Sequence, residues 1–264
     1  MLARSYDAGM LDEILRATEP RARSAAVRAD GLRDAMSRAP VVRDFSRTLA
    51  APGLSVIAEV KRRSPSAGDL AVALDPSDQA RRYAAGGAAA ISVLTEPHYF
   101  GGSLEDLATV RGATDLPVLR KDFMLNEAQI WESRAAGADA VLLIAAVLDG
   151  RQLPMMLEAV AAASMTALVE VHDEAEAERA VAAGASVVGV NNRDLGSFVT
   201  DLAVAERLSG RLANVAVRVA ESGVRTVADA ARMAAAGYDA VLVGEALVRS
   251  EDPARLIRAF RGHP

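Results

Sequence analysis

The sequence predicts an α/β protein, a closed (β/α)8 TIM barrel with extra N-terminal helices, and three observations predict it. One phrase, Ala-Ala-Gly running into a continuous apolar stretch, occurs at 84–93, 135–144, 182–191 and 235–244, a spacing of about 50 residues that marks repeated architecture. Strand-like runs alternate with helical ones, and the strands are apolar on both faces, as in a parallel sheet covered by helices. Eight such units fit in roughly 200 residues, which suits a closed barrel better than an open sheet.

The elements follow in order. Before the first strand, helical stretches at 9–18 and 30–39 form an N-terminal extension, residues 1–54, attached to a barrel at 55–264. No linker rich in Gly, Ser or Pro divides the remainder, so one domain is expected. Runs at 55–60, 117–119, 167–171 and 215–220 supply strands one, three, five and seven. The repeated phrase supplies the even strands: 91–94, 141–144, and the runs ending at Asn191 and Gly244. In each copy a glycine suits the left-handed cap of the preceding helix. Helices at 173–183 and 227–236 fill two of the intervals.

Composition narrows the function. With 264 residues, 51% hydrophobic and 4% aromatic, the chain buries a large core of small side chains that let helices approach a sheet. A net charge of −5 without a Lys/Arg block speaks against nucleic acid or an anionic membrane as partner, so an anionic ligand must be held by a few placed groups. No cysteine is present, which excludes disulfides, thiolate metal sites and cysteine nucleophiles. The three histidines (His98, His172, His263) lack ligand spacing, and no metal is expected. Asp7, Asp12 and Glu13 stand where a signal peptide needs an apolar core, and the apolar run at 140–148 is too short for a bilayer. A cytoplasmic protein is expected.

Barrel chemistry sits at the C-terminal ends of the strands, and there the charge appears. Strand one ends in Glu59 and Lys61, which share a face because they are two residues apart, and runs into a loop with Ser64, Pro65 and Ser66. Strand three ends in Arg120-Lys121-Asp122-Phe123, strand five in Glu170 and His172, and strand six in Asn191-Asn192-Arg193-Asp194. Strand seven ends in Glu221-Ser222-Gly223 and strand eight in Gly244-Glu245. Strands two and four stay apolar to the end and are expected to supply the wall. Loops after strands seven and eight are the usual phosphate site of this architecture.

With these residues placed, the chain closely resembles the indole-3-glycerol-phosphate synthase family. I-A-E-V-K-R-R-S-P-S, A-A-I-S-V-L-T-E, F-G-G-S-L-E-D-L, P-V-L-R-K-D-F, L-V-E-V-H, G-V-N-N-R-D-L, V-A-E-S-G and L-V-G-E-A-L carry the likeness, from about residue 53 to 256. The resemblance implies that 1-(2-carboxyphenylamino)-1-deoxy-D-ribulose 5-phosphate is closed to an indole, with loss of carbon dioxide and water and no cofactor. It implies Lys121 as general acid and Glu170 as general base. Glu59 becomes an auxiliary acid/base orienting Lys61, itself an anion grip with Arg193. Ser64 is implied to contact the anthranilate carboxylate and Phe123 to pack on its ring. Asn191, Glu221 and Ser222 are implied at the sugar and charge network, and Gly223, Gly244 and Glu245 at the phosphate. The loop 62–76, which carries Gly68, is expected to close over the substrate. The expected partner is a small phosphorylated substrate, and the expected assembly a monomer or weak homodimer.

Two departures from the family pattern stand out. Ala128 and Trp131 replace tyrosines, and are expected in outer packing; Gly196 and Ser197 are smaller than the usual pair. Related barrels fit less well. The phosphoribosylanthranilate isomerase type uses a cysteine base, and the sugar isomerases of histidine synthesis use paired aspartates where Glu59 and Lys61 stand. A catalytically silent barrel predicts decay of the acid–base set, which is intact.

Overall fold

The computed structural model describes residues 9–194, 196–197 and 199–262; the first eight residues of the expected extension lie outside them, as does His263. Eight parallel strands close into a barrel: β1 (Ser55–Val60), β2 (Ala90–Leu94), β3 (Val118–Lys121), β4 (Ala140–Ile144), β5 (Thr166–Val171), β6 (Val187–Asn191), β7 (Val217–Glu221) and β8 (Ala240–Val243). β8 pairs with β1, Val243 opposite Ala58, so the sheet keeps no open edge. Helices α1 (Met10–Val27), α2 (Ala29–Ser37) and α3 (Phe45–Leu49) precede the barrel. Around it run α4 (Pro76–Ala85), α5 (Leu104–Ala113), α6 (Glu127–Ala135), α7 (Gln152–Ala162), α8 (Glu174–Ala182), α9 (Ala203–Leu208) and α10 (Val227–Ala235), with α11 (Glu245–Val248) and α12 (Pro253–Phe260) after β8. Asp75, Ser103, Asn126, Asp173, Thr226 and Asp252 each accept an N–H three residues on, which fixes where their helices begin.

Strand periodicity positions the site. Val56, Ala58, Val93, Val169, Val188 and Val241 pack beneath the helices. Ile57, Leu119, Leu142, Leu168, Val219 and Leu242 face the barrel interior. Two residues further along the same face come Glu59, Lys121, Ile144, Glu170, Glu221 and Gly244. The interior is therefore apolar below and charged at its C-terminal mouth. At the other end α3 seals the barrel with Phe45 and Leu49, both fully buried; each such side chain contributes about 1.5–3 kcal/mol.

Some boundaries differ from expectation. The first helix, expected at 9–18, runs on to Val27 through Pro20, because Ile14, Thr18, Ala22 and Ala25 form one buried stripe. Strand three extends past Leu119 to Lys121, which pairs in register with Leu94, so Lys121 stands within the ladder rather than after it. Strand seven starts at Val217 and includes Glu221, opposite Asn191. Ala128 and Trp131 lie on α6 against Ala25 and Leu32, with the Arg33 guanidinium 4.0 Å above the Trp131 ring. The family departures there are packing between α6 and the N-terminal helices, as expected.

Candidate active site

At the mouth, Lys121 is the centre of a buried ion network. Its Nζ lies 2.6 Å from Glu221 Oε2 and 3.2 Å from Glu170 Oε2. Burial opposes the lysine's charge, but Glu221 and Glu170 outweigh it, and its pKa is raised. Glu170 is likewise penalised by burial, yet Lys121 and His172 hold it below the usual carboxylate range. Glu221 moves the other way: burial and the neighbouring Glu170 push it up, against the pull of Lys121. Two glutamates around one ammonium are thus driven apart in proton affinity, the pattern that separates acid and base roles.

A second pair stands on β1. Lys61 Nζ is 2.7 Å from Glu59 Oε1, with Glu59 almost wholly buried. Glycines make room for both groups. A Cβ on Gly189 would come within 2.1 Å of Glu221 Oε1, and one on Gly244 within 2.4 Å of Glu59 Oε1 and 3.0 Å of Lys61 Nζ. Close approach, rather than turn geometry, requires glycine at these two positions.

Ser64, Phe123, Asn191, Arg193, Ser222, Gly223, Gly244 and Glu245 line the same cavity as Glu59, Lys61, Lys121, Glu170 and Glu221. Every site residue expected from the sequence therefore converges there. Leu94, Leu142 and Ile144 form its apolar wall, as expected of strands two and four. Phe123 stands 6.5 Å from Phe100, ring centroid to centroid. Arg193 donates to Ser66 Oγ, bridging the β6 end to the loop after β1. The cations beside Glu170 are Lys121 and His172. Ser222 adopts φ +62°, a strained value for a residue with a Cβ. Glu245 turns its carboxylate to Arg249, 3.1 Å away.

The loop 62–76 is pinned over this mouth. It forms a small hairpin, Arg63–Ser64 against Gly68–Asp69, and Arg62 pairs with Asp106 at the start of α5 while donating to Gly101 and Leu74 carbonyls. Ser64 Oγ accepts the Ala67 N–H at 3.2 Å.

Several contributors were not visible in sequence. Leu11 and Ile14 of α1 line the cavity, and Arg21 makes two contacts of 2.9 and 3.0 Å to Asp122, beside Lys121. Burial raises Asp122, but Arg120 and Arg21 outweigh it and hold it down at about 2. After β2, buried Glu96 accepts the N–H groups of His98, Tyr99 and Phe100 and shapes the rim. The signal that existed was the spacing Glu170-Val171-His172, which places His172 beside the glutamate.

Fold and site together define a barrel enzyme whose acid–base groups crowd its C-terminal mouth. The family model for indole-3-glycerol phosphate synthase matches residues 11–260, and this chain belongs to that family. It is 52% identical over 248 residues to indole-3-glycerol phosphate synthase of Mycolicibacterium vanbaalenii, covering 93% of this chain and 91% of the relative. It is also 52% identical over 231 residues to indole-3-glycerol phosphate synthase 2 of Streptomyces coelicolor, covering 88% and 90%. Among solved structures, thiamine phosphate pyrophosphorylase from Pyrococcus furiosus shares the fold at a TM-score of 0.60 and 18% identity, covering 83% of this chain and 96% of that one. Among the described residues no helix is long and apolar enough to cross a membrane.

Proposed function

We propose that this chain closes 1-(2-carboxyphenylamino)-1-deoxy-D-ribulose 5-phosphate to indole-3-glycerol phosphate, releasing carbon dioxide and water, as a step of tryptophan synthesis. The observation that carries the mechanism is Lys121, an ammonium held between two buried carboxylates at the mouth. In ring closure Lys121 protonates the ribulose carbonyl oxygen while the ring carbon bearing the carboxylate attacks the carbonyl carbon. Loss of carbon dioxide returns the electron pair to the ring and restores its aromaticity. The new hydroxyl then leaves as water, with its proton supplied from the Glu59–Lys61 pair, and Glu170 removes the proton from the carbon next to nitrogen. Once Lys121 has given up its proton, Glu170 has lost a neighbouring cation and is a stronger base for that last step.

The remaining lining residues take binding roles. Arg193, Lys61 and Ser64 grip the anthranilate carboxylate, and Phe123 packs on the ring. Asn191 and Glu221, with Ser222, hold the sugar end. Backbone N–H groups at Gly223, Gly244 and Glu245 receive the phosphate. No step calls for a metal or organic cofactor. The small phosphorylated substrate is the one partner this reading requires; we place the protein in the cytoplasm as a monomer or weak homodimer.

The test is direct. Purified protein is mixed with the anthranilate deoxyribulose phosphate, without added metal, and indole fluorescence is followed. Steady product formation is expected; folded protein that yields none overturns the reading.

A further inference from the structure

His172 lies at the end of β5 and is 12% exposed. Its two ring nitrogens face two different carboxylates: Nδ1 is 3.0 Å from Glu176 Oε2, and Nε2 is 3.3 Å from Glu170 Oε1. Nε2 makes no in-line hydrogen bond among the described residues, so it is charge across 3.3 Å that joins it to Glu170; only a ring protonated on both nitrogens carries that charge while still donating to Glu176. The first contact is built into the fold. Asp173 caps α8 by accepting the Glu176 N–H, and Glu176 reaches back to the His172 backbone N–H at 2.8 Å as well as to its ring. The ring is thus fixed from behind, with Nε2 at ion-pair distance from Glu170 Oε1.

We propose that His172, as an imidazolium, is a positioning residue that grips Oε1 of Glu170 and so assigns Oε2 to Lys121 and the cavity. This inference rests on the reading of Glu170 as the base. Its consequence is chemical. Lys121 and Glu170 stand 3.2 Å apart in a buried site, so the lysine's proton has two destinations, the substrate oxygen or the carboxylate. A cation on the far oxygen of Glu170 disfavours the second. The proton goes to substrate, and Glu170 is still ionised when the last proton must be taken.

The charged surroundings agree. Glu170 also faces Asn191 from β6, while Glu221 from β7 lies close enough to be raised by it. His172 faces Glu176 from α8 and acts on Asp194 after β6. Burial opposes the imidazolium, but Glu170 and Glu176 outweigh it and raise its pKa to about 10.

Two measurements test this on the whole protein. In the first, histidine ring resonances are followed by NMR across pH, with His172 assigned by its loss in His172→Gln. The expected result is a ring that stays protonated well above the ordinary value of about 6.5 and titrates lower in Glu170→Gln. A ring titrating near 6.5 in the unmutated protein overturns the proposal. In the second, His172→Ala is expected to lower kcat about tenfold, the equivalent of one pKa unit of charge interaction, with KM within about twofold. The acid limb of its kcat profile should move to higher pH, because a carboxylate that loses a cation takes up a proton sooner. His172→Gln, a neutral donor, should recover part of kcat and leave the limb displaced. An unmoved limb in His172→Ala reduces His172 to a structural role and sinks the proposal. Wild-type kcat in Glu170→Gln instead sinks the base reading and the positioning role with it, while the ring titration reports separately whether the clamp forms.

Discussion

Replacing Lys121 with methionine tests the charge logic of the mouth and the proposed acid together. The substitution keeps the length of the side chain and removes Nζ, which contacts Glu221 at 2.6 Å and Glu170 at 3.2 Å. Deleting one partner of a buried ion pair costs about 3–5 kcal/mol, because it strands the other charge. Glu170 keeps His172 as a partner, so the stranded carboxylate is Glu221, already pushed up by burial. The variant should escape part of the cost by protonating Glu221. A carboxyl group whose folded pKa exceeds its unfolded value of about 4.3 binds more protons folded than unfolded, so stability falls as pH rises between the two values. The slope is about 1.4 kcal/mol per pH unit for one proton. Glu221 is already raised to about 7 in the unmutated protein, and losing Lys121 raises it further, so the destabilisation relative to the unmutated protein should be small near pH 7 and grow by about 2–3 kcal/mol towards pH 9. Urea unfolding followed at both pH values measures it, and the fluorescence assay should show turnover gone while substrate binding survives. Equal destabilisation at the two pH values refutes the stranded-carboxylate argument; turnover above a few per cent refutes the role of Lys121 as acid.

Gly189→Ala should place a Cβ within 2.1 Å of Glu221 Oε1 and 3.2 Å of Leu168 Cδ1; we expect about 1–3 kcal/mol lost by overpacking and kcat reduced as Glu221 is driven off Lys121, read by thermal unfolding and steady-state kinetics. Gly244→Ala should displace the Glu59–Lys61 pair from 2.4 and 3.0 Å contacts and raise KM more than it lowers kcat; an unchanged KM counts against a binding role there. Arg21→Met removes two contacts to buried Asp122 and should cost about 1.5–3 kcal/mol, the range for hydrogen bonds to charged groups, with a rise in KM because Leu11 and Ile14 of the same helix line the cavity. An unchanged melting temperature would show that Arg120 and Thr95 hold Asp122 without Arg21.

The mouth was largely legible in sequence because period-two alternation links a strand's interior face to its end. Ile57 leads to Glu59 and Lys61, Leu119 to Lys121, Leu168 to Glu170, and Val219 to Glu221, so locating the apolar run also located the charge. Partner choice was less legible, since it depends on separations the sequence does not encode locally. Arg21 finds Asp122 across 101 positions, and α1 continues through Pro20 only because its stripe meets α6. His172 illustrates the boundary. Its place beside Glu170 follows from alternation, but its protonation follows from Glu176, which a helix cap three residues earlier turns back towards it.

Gly189 and Glu221 together show that the mouth is not arranged for stability. A glycine inside a strand costs about 0.5–1 kcal/mol relative to alanine, and Gly189 is needed there to admit Glu221. Glu221 is itself buried, with Oε1 lacking a hydrogen-bond partner among the described residues, a further loss of about 1–3 kcal/mol. A leucine–alanine exchange at these neighbouring positions would pack the barrel end better, since buried ion pairs are commonly no more stable than apolar replacements. Yet the fold keeps a strand glycine and an underpartnered carboxylate, and their joint effect is to hold one negative oxygen 2.6 Å from Lys121. Glu221 thereby keeps Lys121 charged from one side while Glu170, gripped by His172, stands ready on the other. The stability given up at Gly189 and Glu221 is what the proposed acid needs in order to remain protonated inside an apolar barrel until substrate arrives.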